Sequence, residues 1–217
     1  EKKVHNKVVE VENISKSYED LSVLQNFSIT INSGDRIAIV GKNGIGKTTL
    51  LKCLVKENFI DDGSVNWSEN AVLGYFAQNH SEEFKSEISL VDWMAQWSHQ
   101  DDDMEVIRGT LGRLLFSQNH ITKPISVLSG GEQRRMLFGK IILQRANVII
   151  LDEPTNHLDM ESIESLNQAL DIYQGTTIFV SHDREFISSL ATRIIEIKHN
   201  KVKEYSDYRS YQKDHKG

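Results

Sequence analysis

The stretch GKNGIGKT, Gly41 to Thr48, has the residue types and spacing that hold phosphate. Gly41, Gly44 and Gly46 let backbone N–H groups converge on an anion, and Lys47 reaches the β- and γ-phosphate oxygens. Thr48 offers a hydroxyl to magnesium, and Asn43 and Thr49 complete the binding run. Downstream, the apolar stretch VIILD ends in Asp152, and Glu153 follows at once. A carboxylate at a strand's C-terminal end can hold magnesium through water, and the next one can orient or deprotonate an attacking water. By itself such a pair is also a common helix-capping or turn dipeptide. Gln78 at the end of LGYFAQ and His182 after TTIFVS supply an amide for the magnesium–water network and an imidazole that can sense a γ-phosphate. Together these residues describe magnesium-dependent hydrolysis of a nucleoside triphosphate.

A second anion-binding run lies far downstream in VLSGGEQRRMLFGK. Ser129, Gly130 and Gly131 open a helix, with Glu132 in its first turn. Such a helix start can grip phosphate without a lysine. One domain therefore carries two phosphate-binding loops, only one of which has a lysine.

The elements that must position these groups alternate between strand and helix. RIAIV is a short apolar strand that feeds the first loop, and GKTTLLKCLVK is the helix after it. NVIILD and TTIFVS are further buried strands, and MESIESLNQAL and DREFISSL are helices between and after them. This alternation predicts an α/β fold with a mostly parallel sheet. KVVEVENIS and SKSYEDLSVLQNFSITI alternate apolar and polar residues and predict an antiparallel β-subdomain at the N-terminal end. From Ser89 to Phe116 the pattern turns helical, with Leu90, Trp93, Met94 and Trp97 on one apolar face. Those tryptophans fit a subdomain core better than a base-stacking platform. Asp101 to Asp103 suit a solvated helix cap better than a metal site. RIIEIKHNKVKEYS predicts a terminal hairpin turning at His199 and Asn200.

With 217 residues, 39% of them apolar, the chain can bury one good-sized core. No run approaches the length of a membrane span, so no membrane insertion is expected. The single cysteine, Cys53, lies in an apolar helical run and fits a packed thiol in a reducing cytoplasm. A net charge of −6 opposes broad phosphate tracking, so tight RNA binding by this domain alone is not expected. Arg134 with Arg135, and Arg108 with Arg113, could touch RNA, but solvated helix faces are the plainer reading.

GKNGIGKTT, the glutamine of YFAQ, LSGGEQ, VIILDE, PTNHLD and the histidine of VSHD resemble, in that order, the motifs of ATP-binding-cassette ATPases. The resemblance implies that two cassettes meet head to tail. Each ATP then lies between the phosphate loop of one and the Ser-Gly-Gly signature of the other. Tyr18 would stack on adenine, though a half-buried strand-end tyrosine is the alternative. His157 and Asp159 would line the interface between cassettes. The Glu132 signature and EPTNHLD resemble the ABC-F family, proteins with two cassettes on one chain that act on the ribosome. The resemblance thus implies ATP and Mg2+ as ligands. It makes the partner a second cassette on the same parent chain, or a weak homodimer when isolated. Residues 1–7 would be a linker remnant and 8–217 the cassette, with a helical signature subdomain at about 84–145. Two other readings are a transporter's energising subunit and an ATP-controlled clamp whose hydrolysis is incidental.

Overall fold

The computed structural model describes residues 6–19, 21–156, 158–198 and 201–215. In chain order the elements are β1 (Lys7–Tyr18), β2 (Leu21–Asn32), β3 (Arg36–Gly41), α1 (Lys47–Leu54), β4 (Asp62–Trp67) and β5 (Leu73–Phe76). Next come α2 (Leu90–Ala95), α3 (Met104–Arg113), α4 (Gly130–Leu143), β6 (Val148–Asp152), α5 (Met160–Ile172) and β7 (Thr176–Val180). The chain ends with α6 (Arg184–Leu190), β8 (Arg193–Lys198), β9 (Lys201–Tyr205) and α7 (Tyr208–Asp214). They form two compact units, residues 74–146 and the remainder.

The larger unit holds two sheets. In the first, β1 is central and pairs antiparallel with β2 and with β4. Val9 and Val11 point inward at the two-residue period of a half-buried strand. The pairing then slips, from Val11 opposite Ile29 to Ile14 opposite Phe27, so β1 carries one extra residue there. That bulge returns Ile14 to the buried face, where an unbroken alternation would have left it outside. β1 runs on through SKSY to Tyr18 before the chain reverses.

In the second sheet β6, β7, β3 and β8 run parallel in that order, and β9 is antiparallel at the edge. VIILD and TTIFV are buried at every position, as expected where both faces of a parallel sheet are covered. α1 packs on β3 and β6, α5 on α6, and α7 on β8 and β9. Cys53 is buried on α1, and burial pushes its thiol up. The β8–β9 hairpin is present, while His199 and Asn200 at its predicted turn lie outside the described residues.

The smaller unit is mostly helical. Leu90, Trp93 and Met94 on α2 are buried, together with Ile107 and Leu111 on α3 and Met136, Leu137 and Ile141 on α4. Trp93 packs on Phe84 with ring centroids 5.1 Å apart and on Trp97 at 5.8 Å, with Trp93 buried in the core and Trp97 half-buried at its edge. Two of the three adjacent acids also act structurally. Asp103 caps α3 by accepting from the N–H groups of Glu105 and Val106, and Asp102 pairs with Arg145.

Arg134 departs from the expected solvated face. It is buried, with its guanidinium 5.7 Å from the centroid of the Phe76 ring. Arg135 lies over Phe116 at 5.2 Å. Their aliphatic stems and flat cations pack on aromatics, which a count of charges along the helix does not anticipate. Arg108 and Arg113 are exposed.

Candidate functional site

The phosphate loop begins where β3 ends. At Gly41 a Cβ would stand 2.7 Å from the Ile197 carbonyl oxygen, so only glycine lets the loop leave the sheet here. Gly46 has φ +109, and a Cβ there would lie 2.6 Å from Cγ1 of Val23. α1 starts at the next residue. It has no side-chain cap and no acidic residue in its first turn, whereas Ser89, Asp103, Ser129, Asp183 and Asp207 cap α2, α3, α4, α6 and α7. The first N–H groups of α1 and the positive end of its dipole are thus left for an anion from outside the chain.

Lys47 is buried at 7% exposure, and its ammonium donates to the carbonyls of Gly41 (3.0 Å) and Lys42 (3.1 Å). Burial lowers its pKa, opposed by the charges of Glu153 and Asp152. Asn43 and Gly44 form the exposed tip of the loop, and Thr49 is half-buried on α1. The Thr48 hydroxyl donates to Oδ1 of Asp152 at 3.2 Å. Asp152 is fully buried at the end of β6, and its Oδ2 has no hydrogen-bond partner. Burial raises its carboxyl above the usual carboxylate range. The Thr48 hydroxyl and the Asp152 carboxylate, one oxygen of which is buried and orphaned, are hard oxygen donors beside a phosphate cradle and fit Mg2+.

Glu153 is held in an uncommon backbone conformation, φ +51, as the chain turns out of β6. For a residue with a Cβ this costs about 1–2 kcal/mol. Its carboxylate is 5% exposed, accepts from the His182 backbone N–H at 3.3 Å through Oε2, and lies 3.2 Å from His182 Nε2 through Oε1. The ring of His182 is 54% exposed, so an otherwise enclosed carboxylate is linked to an imidazole that faces solvent. The structure therefore brings Lys47, Thr48, Asp152, Glu153 and His182 together at the C-terminal ends of β3, β6 and β7.

Two of the cavities among the described residues border the loop. One of about 350 Å3 is lined by Leu21, Ser22, Val23 and residues 42–45. The other, of about 670 Å3, is lined by Gly41, Lys42, Ile45, His182 and, from α7, Tyr208 and Tyr211. Helix α7 was not legible in the periodicity because it has no fully buried residue. The signal that could have found it is Asp207, whose carboxylate accepts from the Ser210 N–H as an N-cap.

β5 stops at Phe76, so Gln78 lies two residues beyond the strand, exposed, in the smaller unit. Asp159 precedes α5 and its carbonyl accepts from the Ile163 N–H, and His157 lies outside the described residues. Tyr18 is 45% exposed at the end of β1, opposite Leu21.

In the smaller unit Gly130 and Gly131 begin α4 with open space where a Cβ would be. Ser129 and Glu132 form a reciprocal capping box. Oε2 of Glu132 accepts from the Ser129 N–H (2.9 Å) and hydroxyl (2.8 Å), and the Glu132 N–H donates back to Ser129 Oγ (3.4 Å). Those two bonds from Ser129 hold the Glu132 carboxyl below the usual range. Unlike α1, this helix start brings its own negative charge.

Residues 24–156 match the family described as ABC transporter. The chain is 53% identical over 212 residues to the ATP-binding protein YbiT of Escherichia coli O157:H7, covering 97% of this chain and 40% of that protein. It is 42% identical to the ABC transporter ATP-binding protein YkpA of Bacillus subtilis, over 93% of this chain and 38% of that one. Against ABC transporter F family member 5 of Arabidopsis thaliana it is 38% identical, over 94% of this chain and 30% of that protein. The chain thus spans two fifths or less of the length of these relatives. Its fold is similar to that of a metal-chelate type ABC transporter in an inward-facing conformation, with a TM-score of 0.74 at 24% identity, covering 93% of this chain and 84% of that one. The chain belongs to the ABC transporter family of ATPases, as an ATP-binding cassette of the ABC-F type.

Proposed function

We propose that the chain binds ATP with Mg2+ at its phosphate loop and hydrolyses it when a second cassette supplies the Ser129–Gly131 equivalent. The observation that carries this reading is the orphaned Asp152 Oδ2 beside the Thr48 hydroxyl, set against the uncapped start of α1. Lys47 and the loop residues Gly41, Asn43, Gly44, Gly46 and Thr49 hold the phosphates, and Tyr18 stacks on the base. Thr48 and Asp152, with Gln78, would hold magnesium, which when bound neutralises phosphate charge. Glu153 is the general base for water. His182 hydrogen-bonds the γ-phosphate, and its link to Glu153 keeps both side chains on the same reacting group. The helix start at Ser129, with Gly130, Gly131 and Glu132, faces the partner's nucleotide, and His157 and Asp159 line the interface between cassettes. One chain therefore holds two half-sites.

The resemblance to ABC-F proteins supports a finer reading. The chain is the second cassette of a two-cassette cytoplasmic protein, residues 1–7 belong to its linker, 8–217 form the cassette and about 84–145 its signature subdomain. ATP closes the pair on the ribosome and hydrolysis releases it. The net charge of −6 supports a ribosome contact made by other parts of the parent protein. Among the described residues no helix is long and apolar enough to cross a membrane. The test is co-sedimentation of the parent protein with ribosomes, with Glu153 and its counterpart in the other cassette changed to Gln. Association in ATP and not in ADP is expected. No association, in a variant shown to bind ATP, overturns the ribosome reading.

A further inference from the structure

Tyr18 ends β1 with nearly half its surface exposed, a place where a tyrosine would ordinarily sample several rotamers. Here it is held at two points. Asn58, from the loop after α1, donates from Nδ2 to the Tyr18 hydroxyl at 2.7 Å. Lys16 stands over the ring with Nζ 5.4 Å from its centroid. Lys16 is fixed in turn by Asp61 at 2.8 Å, and the other carboxylate oxygen of Asp61 accepts from the Ser17 N–H at 2.6 Å. The loop is tied at both ends, by the Glu57 N–H to the Lys52 carbonyl (2.9 Å) and by the Asp61 N–H to the Ser15 carbonyl (2.9 Å). Leu21, the strand partner of Tyr18, lines the cavity against loop residues 42–45.

From this geometry we infer that Asn58 is a positioning residue for Tyr18, and that Lys16 occupies one face of the ring so that adenine stacks on the other. The inference rests on the reading of Tyr18 as the base-stacking residue. Its physical content is preorganisation. Base–aromatic stacking rewards a ring already in place, and ordering a loose side chain on binding subtracts from affinity. The cation of Lys16 over the ring's electron-rich face adds a second restraint, and its own bond to Asp61 keeps it there. Asn58 touches no phosphate in this scheme, so its contribution belongs to the base alone.

The test compares dissociation constants for Mg–ATP and for Mg–inorganic triphosphate, which lacks the base, across Tyr18→Ala, Tyr18→Phe, Asn58→Ala and the double variant Tyr18→Phe/Asn58→Ala. Asn58→Ala is expected to weaken ATP about two- to tenfold and leave triphosphate unchanged. In the Tyr18→Phe background, where the hydroxyl is already gone, Asn58→Ala is expected to have no further effect. A general loosening of the loop would instead weaken both ligands, or act equally in both backgrounds, and either result overturns the positioning role. If Tyr18→Ala changes the ATP-to-triphosphate ratio while Asn58→Ala does not, the positioning role alone is refuted. If Tyr18→Ala leaves the ratio unchanged, the base-stacking reading fails and the inference with it.

Discussion

Replacing Glu153 by Gln should separate chemistry from binding and from folding, and the geometry sets the size of each effect. The carboxylate accepts from the His182 N–H at 3.3 Å and lies 3.2 Å from His182 Nε2. A glutamine amide keeps one oxygen acceptor for the His182 N–H and puts a donor opposite Nε2, so that contact changes from an acceptor of an imidazole N–H to a donor that needs the other tautomer. The net loss is about 1 kcal/mol, which for a chain of this size lowers Tm by roughly 2–4 °C. The backbone strain at φ +51 is unchanged, because Gln carries the same Cβ. The amide cannot accept a proton at neutral pH, so kcat should fall about 10²- to 10⁴-fold. ATP affinity should change little, since Glu153 lies outside the loop that holds the phosphates. The assay is phosphate release beside the dissociation constant of a fluorescent ATP analogue and a thermal melt. Hydrolysis by Glu153→Gln at the wild-type rate would refute the general-base assignment. A loss of affinity as large as the loss of rate would refute the separation of roles.

Lys47→Ala should weaken ATP about ten- to a hundredfold, the scale of a lost charge-assisted contact, as measured by the same binding titration. Gly46→Ala forces a Cβ to 2.6 Å from Val23 Cγ1 at φ +109 and should cost about 1–3 kcal/mol of stability, read as a lower denaturant midpoint. Leu50→Ala empties a fully buried site on α1 and should cost about 2–5 kcal/mol in the same assay. Asp214, on α7, accepts from Lys203 and from the Tyr205 hydroxyl, which push its carboxyl down from 3.8 to about 2. Its folded pKa is depressed, so its stabilisation is present above pH 3.8 and lost as pH falls toward 2. Melts across that window should show wild type and Asp214→Asn converging at the acid end, and a constant gap would contradict the assignment.

What could be read from sequence were groups whose role is local. The glycine-rich turn before α1, the carboxylate that ends VIILD with the one that follows it, and the buried strands declare themselves because backbone conformation and burial follow from adjacent residues. Arg134 was misjudged because its partner, Phe76, comes from another part of the chain and turns a charged residue into a packed one. The Ser-x-x-Glu spacing of Ser129 and Glu132 was in plain view, and in the structure it forms a capping box that holds the Glu132 carboxylate at the start of α4. α7 escaped because a helix without a fully buried face leaves no apolar period. Asn58 was invisible for a different reason: it meets Tyr18 across 40 positions of sequence, and nothing in either neighbourhood marks the pair.

The claim that one chain holds two half-sites is tested most directly by measuring ATP turnover per chain as a function of chain concentration, with Lys47→Ala as the control. If each nucleotide needs the phosphate loop of one cassette and the Ser129 helix start of another, turnover per chain rises with concentration and is lost in the variant. Turnover per chain that stays constant on dilution would mean that a single cassette completes its own site, and would contradict the account.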